Sequence, residues 1–139
     1  MEIIQITDLH ISKDKSDSKH DCVPYERLTK VLEHISANHS KHSNLVITGD
    51  LSSDFTHESY KNISSLIKQF EFNVSILPGN HDDLSMMKLI CDDQIKLESL
   101  DCKSKYFSIF NFDTHIQDNV KGVINPVSYT HLTLPTSHL

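Results

Sequence analysis

Three short runs of β-branched and apolar residues, separated by segments with helical periodicity, constrain the fold of this chain most strongly. The runs are EIIQIT at residues 2–7, LVIT at 45–48 and VSIL at 74–77. Each has the length of a buried strand. Strands that alternate with helices form βαβ units, whose right-handed crossovers give a parallel sheet covered on both faces. The pattern therefore predicts an α/β fold.

Two amphipathic helices are predicted between these strands. The first begins at Pro24, and its apolar face is formed by Tyr25, Leu28, Val31, Leu32 and Ile35. The second presents an apolar face made of Tyr60, Ile63, Leu66, Ile67 and Phe70. We also predict a short helix over residues 84–91 and a fourth strand over residues 106–113.

Length and charge exclude several classes of protein. The chain has 139 residues, enough for one ordinary domain, and its net charge is −6 with histidine neutral. Such a charge argues against a nucleic-acid binder held by phosphate contacts. An acidic residue, Glu2, follows Met1, and no apolar stretch approaches the ~20 residues that span a bilayer. We therefore predict a cytoplasmic protein without a nucleic-acid or membrane partner.

The last part of the chain differs abruptly from the rest. Residues 127–139, VSYTHLTLPTSHL, contain no charged residue, whereas the first 126 residues hold all 19 acidic and 13 basic side chains. The tail resembles a translated sequencing adapter joined in frame to a gene. We predict that residues 1–126 are the N-terminal part of a larger domain and that residues 127–139 are a non-native tail.

Polar side chains of the metal-binding type follow each of the three predicted strands. They are Asp8 and His10 after the first strand, Asp50 after the second, and Asn80, His81 and Asp82 after the third. In a parallel sheet the carboxyl ends of the strands lie side by side, at the edge where open α/β sheets bind ligands. Each group by itself is also compatible with turn chemistry. Their conjunction, in this order, favours a common site.

The residue types of this site indicate phosphoryl chemistry with metal ions. Carboxylate, imidazole and amide donors together suit Mn, Fe or Zn. Two such ions ~3.5–4 Å apart clamp a phosphoryl group and acidify a bridging water. Asp50 has two oxygens with which to bridge the ions, and Asn80 adds a neutral one. His81 is suited to orient the phosphate or protonate the departing oxygen, with Asp82 fixing its ring.

The motifs QITDLH, TGDLSSD and LPGNHDD resemble those of the calcineurin-like metallophosphoesterase superfamily. The similarity runs over residues 3–125, and within the superfamily the chain resembles the bacterial class III cyclic nucleotide phosphodiesterases. The resemblance implies a metallophosphoesterase fold, a β-sandwich flanked by helices. This chain would hold the N-terminal βαβαβ half of that fold.

The resemblance also implies roles for the matching residues. Asp8 and His10 would bind the first metal, Asp50 would bridge both metals, and Asn80 would bind the second. His81 would be the catalytic histidine near the leaving group. The implied activity is hydrolysis of a small-molecule phosphodiester, 3′,5′-cyclic AMP above all, to the 5′-monophosphate. Two divalent ions, Mn or Fe with Zn as an alternative, would activate the attacking hydroxide.

The chain departs from the family pattern in one respect, and this departure lowers the metal affinity and the activity that we expect. The chain has no GHxH pair, and His131 and His138 lie in the suspect tail. The second metal then keeps only Asp50 and Asn80, so we expect weak metal binding and little activity from this chain alone. His115, in FDTHIQD, is interpreted as an ordinary loop histidine. Two alternatives stay open, namely another phosphoester or a nucleotide-linked pyrophosphate as substrate, and a non-catalytic scaffold of the same fold.

Overall fold

The protein is represented by a computed structural model that describes residues 2–97, 114–116, 119 and 121–123. Four strands and three helices lie within these ranges. In chain order they are β1 (Ile3–Ile6), α1 (Pro24–Asn38), β2 (Asn44–Thr48), α2 (His57–Ile67), β3 (Asn73–Leu77), α3 (Leu84–Leu89) and β4 (Ile95–Leu97). The three predicted strands and the predicted helices are confirmed, although α2 ends before Phe70 and α3 ends before residue 91.

The strands form one parallel sheet in the order β1-β2-β3-β4. Leu45 of β2 lies level with Ile4 of β1 and with Val74 of β3, so adjacent strands are in register. All four strands run in the same direction, and their carboxyl ends therefore lie at one edge of the sheet. This arrangement brings together the loops that follow β1, β2 and β3, as the sequence predicts.

The fourth strand of the described residues lies where the sequence pattern predicts none. The predicted strand over residues 106–113 is outside the described residues. β4 covers only Ile95–Leu97, too few residues to show a hydrophobic period. A turn at Asp92 sets the position of β4. The Asp92 carboxylate accepts hydrogen bonds from the backbone N–H of Gln94 and Ile95 in this turn. Pairing of Ile95 with Val74 then adds the strand to the sheet.

One face of the sheet packs against the helices. Leu45 and Ile47 of β2 belong to a buried apolar cluster to which all three helices contribute, α1 through Leu32, α2 through Ile63 and α3 through Met87. Right-handed crossovers between consecutive neighbouring strands place every connecting helix on the same face. The opposite face carries a more polar row, which consists of Gln5, Val46, Ser75 and Lys96 in register.

Local sequence explains where the two long helices begin. Pro24 occupies the first turn of α1, where its missing N–H is not needed. Thr56 caps α2, because its hydroxyl accepts a hydrogen bond from Ser59 N at 3.2 Å. Across the described ranges, no helix is both long enough and apolar enough to cross a membrane.

The carboxylate of Asp54 ties the loop after β1 to the loop after β2. It accepts hydrogen bonds from Lys13 N at 2.8 Å and from the Thr56 hydroxyl at 2.8 Å. Partial burial raises the pKa of Asp54, but the hydrogen bonds from Lys13 and Thr56 outweigh that effect, so the net shift is downward. The charged form of Asp54 therefore stabilises the folded chain.

Replacement of Asp54 by asparagine should flatten the acid dependence of stability. A depressed pKa in the folded state contributes stability above the unfolded value of 3.8 and loses it as pH falls below that value. In Asp54→Asn this dependence should disappear, and stability at neutral pH should fall by about 1–2 kcal/mol. Urea unfolding at several pH values measures both effects. Asp17→Asn, at an exposed side chain, is the matched control, and an identical acid limb in both variants would contradict this account.

Candidate metal centre

Three of the predicted ligands converge at the carboxyl edge of the sheet. The ligand atoms of Asp8, His10 and Asp50 all lie within 4.8 Å of one another. His10 Nε2 is 3.7 Å from Asp8 Oδ1 and 3.8 Å from Asp50 Oδ2. In the described part of the chain, no other group of three His, Cys, Asp or Glu side chains is arranged in this way. Two carboxylates and one imidazole are a donor set that fits a divalent transition-metal ion.

The backbone holds all three ligands in the left-handed region. The φ angles of Asp8, His10 and Asp50 are 57°, 47° and 54°. Non-glycine residues adopt such angles at a cost of roughly 1–3 kcal/mol, and the surrounding structure must impose them. Hydrogen bonds do so here, since Asp8 N donates to Gly49 O at 3.2 Å and His10 N donates to Asp50 O at 2.9 Å. The loop after β1 is thus fixed to the loop after β2.

Two glycines allow the loops after β2 and β3 to touch. Gly49 has a φ of 92°, and a Cβ atom there would lie 2.8 Å from Gly79 Cα. A Cβ atom on Gly79 would overlap Oδ1 and the backbone nitrogen of Asp50. Both positions therefore require glycine, for steric reasons that place Asp50 against the third loop.

The two carboxylate oxygens of Asp50 have different neighbours. Oδ2 faces His10, whereas Oδ1 accepts a hydrogen bond from His81 N at 3.1 Å. Asn80 is exposed, and it lines a cavity of about 290 Å³ together with Asp8 and Asp50. Asp50 thus belongs to the three-residue cluster and also lines the cavity that Asn80 lines.

The imidazole of His81 lies beside the cluster and is exposed. Its ring meets the ring of His10 edge-on, with centroids 5.5 Å apart, and stacks on Phe55 at 5.9 Å. Phe55 itself has a φ of 58°, another left-handed residue near the site. The imidazole of His81 is thus exposed while two neighbouring rings contact it.

Asp82 lies beneath the site rather than in it. Only 3% of this residue is exposed. Its carboxylate accepts hydrogen bonds from the backbone N–H of Leu51 at 3.0 Å, Ser52 at 3.2 Å and Gly79 at 2.9 Å. The sequence analysis predicts that Asp82 fixes the orientation of the His81 ring. These contacts indicate that it joins the two ligand-bearing loops.

Tyr60 completes this buried network and was not predicted to have a role near the site. Its hydroxyl donates to Asp82 Oδ1 at 3.0 Å and accepts from Asp83 N at 2.8 Å. Burial raises the pKa of Asp82, and hydrogen bonds from Gly79, Leu51, Ser52 and Tyr60 partly offset the rise. Burial, followed by the charge of Asp82, also raises the pKa of Tyr60. The only sequence signal was a tyrosine on a buried helix face, where its hydroxyl needs a partner.

A second cavity, of about 860 Å³, adjoins the cluster. It is lined by Asp8, His10 and His81 on one side and by Lys19, His20, Arg27, Leu28 and Val31 on the other. Lys19 and Cys22 exchange backbone hydrogen bonds of 2.8 and 3.0 Å around a tight turn. His20 and Asp21 have φ angles of 49° and 59°, as a type I′ turn requires. Arg27 is the single arginine of the sequence.

Removal of the Tyr60 hydroxyl should weaken the support of the site. In Tyr60→Phe, Asp82 loses a donor and Asp83 N loses its acceptor, so the free energy of unfolding should fall by about 1–3 kcal/mol. Denaturant unfolding measures the change. Tyr25→Phe on α1 is the control, because the Tyr25 hydroxyl takes no part in this network, and it should cost less than about 0.5 kcal/mol. Equal effects of the two substitutions would disprove this role of Tyr60.

The sequence of this chain is similar to those of known phosphoesterases. The family profile for calcineurin-like phosphoesterases matches residues 1–134. A probable cyclic nucleotide phosphodiesterase of Coxiella burnetii is 28% identical over 127 residues, which is 89% of this chain and 49% of that protein. The 3′,5′-cyclic adenosine monophosphate phosphodiesterase CpdA of Escherichia coli K12 is 33% identical over 82 residues, or 59% of this chain and 30% of that protein.

A third relative, a probable cyclic nucleotide phosphodiesterase of Fibrobacter succinogenes, is 31% identical over 106 residues, covering 76% of this chain and 40% of that protein. The chain thus spans half or less of the length of these relatives. The family match nevertheless extends over nearly the whole chain, and Asp8, His10 and Asp50 meet at one edge of its sheet. The chain belongs to the calcineurin-like phosphoesterase family.

Proposed function

We propose that this chain is the metal-binding part of a phosphodiesterase that hydrolyses 3′,5′-cyclic nucleotides, cyclic AMP in particular, to 5′-monophosphates. The observation that carries the proposal is the cluster of Asp8, His10 and Asp50 with the exposed His81 ring beside it. The names of the relatives, which are cyclic nucleotide phosphodiesterases, support the choice of substrate. The cytoplasmic location predicted from the sequence is part of the same proposal.

Two overlapping sets of side chains would hold two divalent ions, Mn or Fe. Asp8, His10 and Asp50 would bind the first ion, and Asp50 and Asn80 would contribute to the second. When bound, such ions supply positive charge for the phosphate and make a nearby water acidic enough to attack at neutral pH. The left-handed backbone of the three clustered ligands keeps their side chains directed to one point, so little ordering is needed on binding.

His81 would act on the phosphate and on the leaving group. Its ring touches His10, so a phosphate held at the cluster lies within reach. An imidazolium there can donate a hydrogen bond to a phosphate oxygen and transfer its proton to the 3′ oxygen as the P–O3′ bond breaks. The stacking contact with Phe55 limits rotation of the ring. Asp82 would contribute indirectly, because it holds the backbone of the loop that carries His81.

The cavity of about 860 Å³ would receive the nucleoside. Its volume is within the range of about 300–1,000 Å³ that is usual for small-molecule sites. Leu9, Leu28 and Val31 offer an apolar wall to a base, and Arg27 offers a planar cation that pairs with phosphate or carbonyl oxygens. A substrate with its phosphate at Asp8 and His10 would thus have room for its base next to α1.

A substrate panel tests the proposed reaction. The metal-free chain is reloaded with Mn²⁺ and incubated with 3′,5′-cyclic AMP, a dinucleotide pyrophosphate or p-nitrophenyl phosphate. We expect slow, Mn-dependent formation of 5′-AMP, and its loss in Asp50→Asn. Preference for the pyrophosphate or the monoester would contradict the proposed substrate. Mn²⁺ binding without turnover of any of the three, in a protein that has the full length of the relatives, would favour the scaffold alternative.

Substitution of His81 separates its role from metal binding. In His81→Gln, kcat should fall about 10²–10⁴-fold because proton transfer to the leaving oxygen is lost. Mn²⁺ affinity should stay unchanged, since Asp8, His10 and Asp50 are intact. His57→Gln, at the exposed start of α2, is the control and should keep the parent rate. An unchanged kcat in His81→Gln would exclude a role for this residue in the reaction.

A further inference from the structure

The exposed ring of His81 lacks the orienting partner that the sequence predicts for it. Asp82 is buried, and its carboxylate binds backbone N–H groups of the two neighbouring loops instead. Asp50 holds only the backbone of His81, since its Oδ1 atom accepts from His81 N at 3.1 Å. No hydrogen bond from the described residues reaches the ring nitrogens of His81. Any restraint on rotation of this imidazole therefore comes from contacts with neighbouring rings.

The phenyl ring of Phe55 covers one face of the His81 imidazole. The two ring centroids are 5.9 Å apart and the ring planes are inclined by 24°, which is an offset stack. The contact with His10, at 5.5 Å and 79°, is nearly perpendicular. Turning the imidazole about its Cβ–Cγ bond would give up the stack, so Phe55 opposes that rotation.

The backbone of Phe55 is strained. Its φ angle is 58°, and for a bulky side chain a left-handed conformation is a true outlier. The residue is also 45% exposed, so its ring buries little apolar area in return. A strained conformation persists only where the surrounding structure imposes it, and such residues cluster at functional sites. The conformation of Phe55 therefore calls for an explanation other than core packing.

Hydrogen bonds around Ser52 impose this conformation. Phe55 N donates to the Ser52 hydroxyl at 2.9 Å, and Asp54 N donates to the same oxygen at 3.2 Å. The Ser52 hydroxyl also lies 2.7 Å from the hydroxyl of Ser59 on α2. Ser52 N in turn donates to the Asp82 carboxylate at 3.2 Å. The buried network that supports the loop of His81 thus also sets the position of Phe55.

We propose that Phe55 is a positioning residue for His81, whose imidazole it keeps in one orientation beside the metal cluster. The sequence analysis assigned Phe55 no role, because a phenylalanine in a loop carries no sign of the ring on which it stacks. The inference rests on the proposed function only for its consequence in the reaction. There, an imidazole that is already oriented reaches the phosphate and the leaving oxygen without further ordering.

Carbon-13 relaxation of the histidine rings in the metal-free chain tests this orientation. In Phe55→Asn the order parameter of the His81 ring should fall, and the proton cross-relaxation between the His10 and His81 rings should weaken. Phe55→Tyr keeps an aromatic face and should retain the parent values. His81→Gln assigns the signals by removing them. The exposed ring of His57 is the internal control and should be unchanged in every variant.

Unfolding in urea separates positioning from packing. Asparagine adopts left-handed backbone more readily than phenylalanine does. Phe55→Asn should therefore raise the urea midpoint, whereas the loss of a ring needed for packing would lower it. A lowered midpoint would overturn the proposal, and so would an order parameter of His81 that stays at the parent value in Phe55→Asn.

Turnover measures the consequence for the reaction. With Mn²⁺ and 3′,5′-cyclic AMP, kcat of Phe55→Asn should fall by about 10- to 10²-fold while KM stays near the parent value, and Phe55→Tyr should restore kcat. An unchanged kcat in Phe55→Asn would overturn the role in the reaction. The relaxation and urea measurements contain neither metal nor substrate, so a parent chain without cyclic AMP hydrolysis would defeat the proposed function and leave them valid.

Discussion

The geometry of the site depends on one buried carboxylate, that of Asp82. It accepts hydrogen bonds from Leu51 and Ser52, which follow the candidate ligand Asp50, and from Gly79, which precedes Asn80. Two loops from different strands are thereby joined through a single side chain. Burying a charge is costly unless donors surround it, and four donors including Tyr60 do so here. Loss of this carboxylate would leave several buried N–H groups unsatisfied.

The network beneath the site allows strained backbone above it. Asp8, His10 and Asp50 all have positive φ angles, which isolated loops would seldom adopt. Hydrogen bonds from Asp8 N and His10 N to the second loop hold the first loop in this conformation. These hydrogen bonds keep the side chains of Asp8, His10 and Asp50 close to one another.

The motifs could be predicted because each lies next to a strand that the sequence shows clearly. Candidate ligands at the ends of β1 and β2 should meet if these strands are parallel neighbours, and Asp8, His10 and Asp50 do. Tyr60 could not be placed from sequence, since its helical spacing is that of any core residue. The turn from Lys19 to Cys22 could not be predicted either, because His20 and Asp21 are not the glycine and asparagine residues that usually mark such a turn.

The sequence by itself determined the α/β class, the three strands and the identity of Asp8, His10, Asp50, Asn80 and His81 as candidate site residues. These depend on local periodicity and on residue chemistry, which are present in the chain before it folds. Only the tertiary structure decided what Asp82 contacts and which ring stacks on His81. Those outcomes depend on the packing of loops far apart in sequence, and spacing along the chain carries no record of such distances.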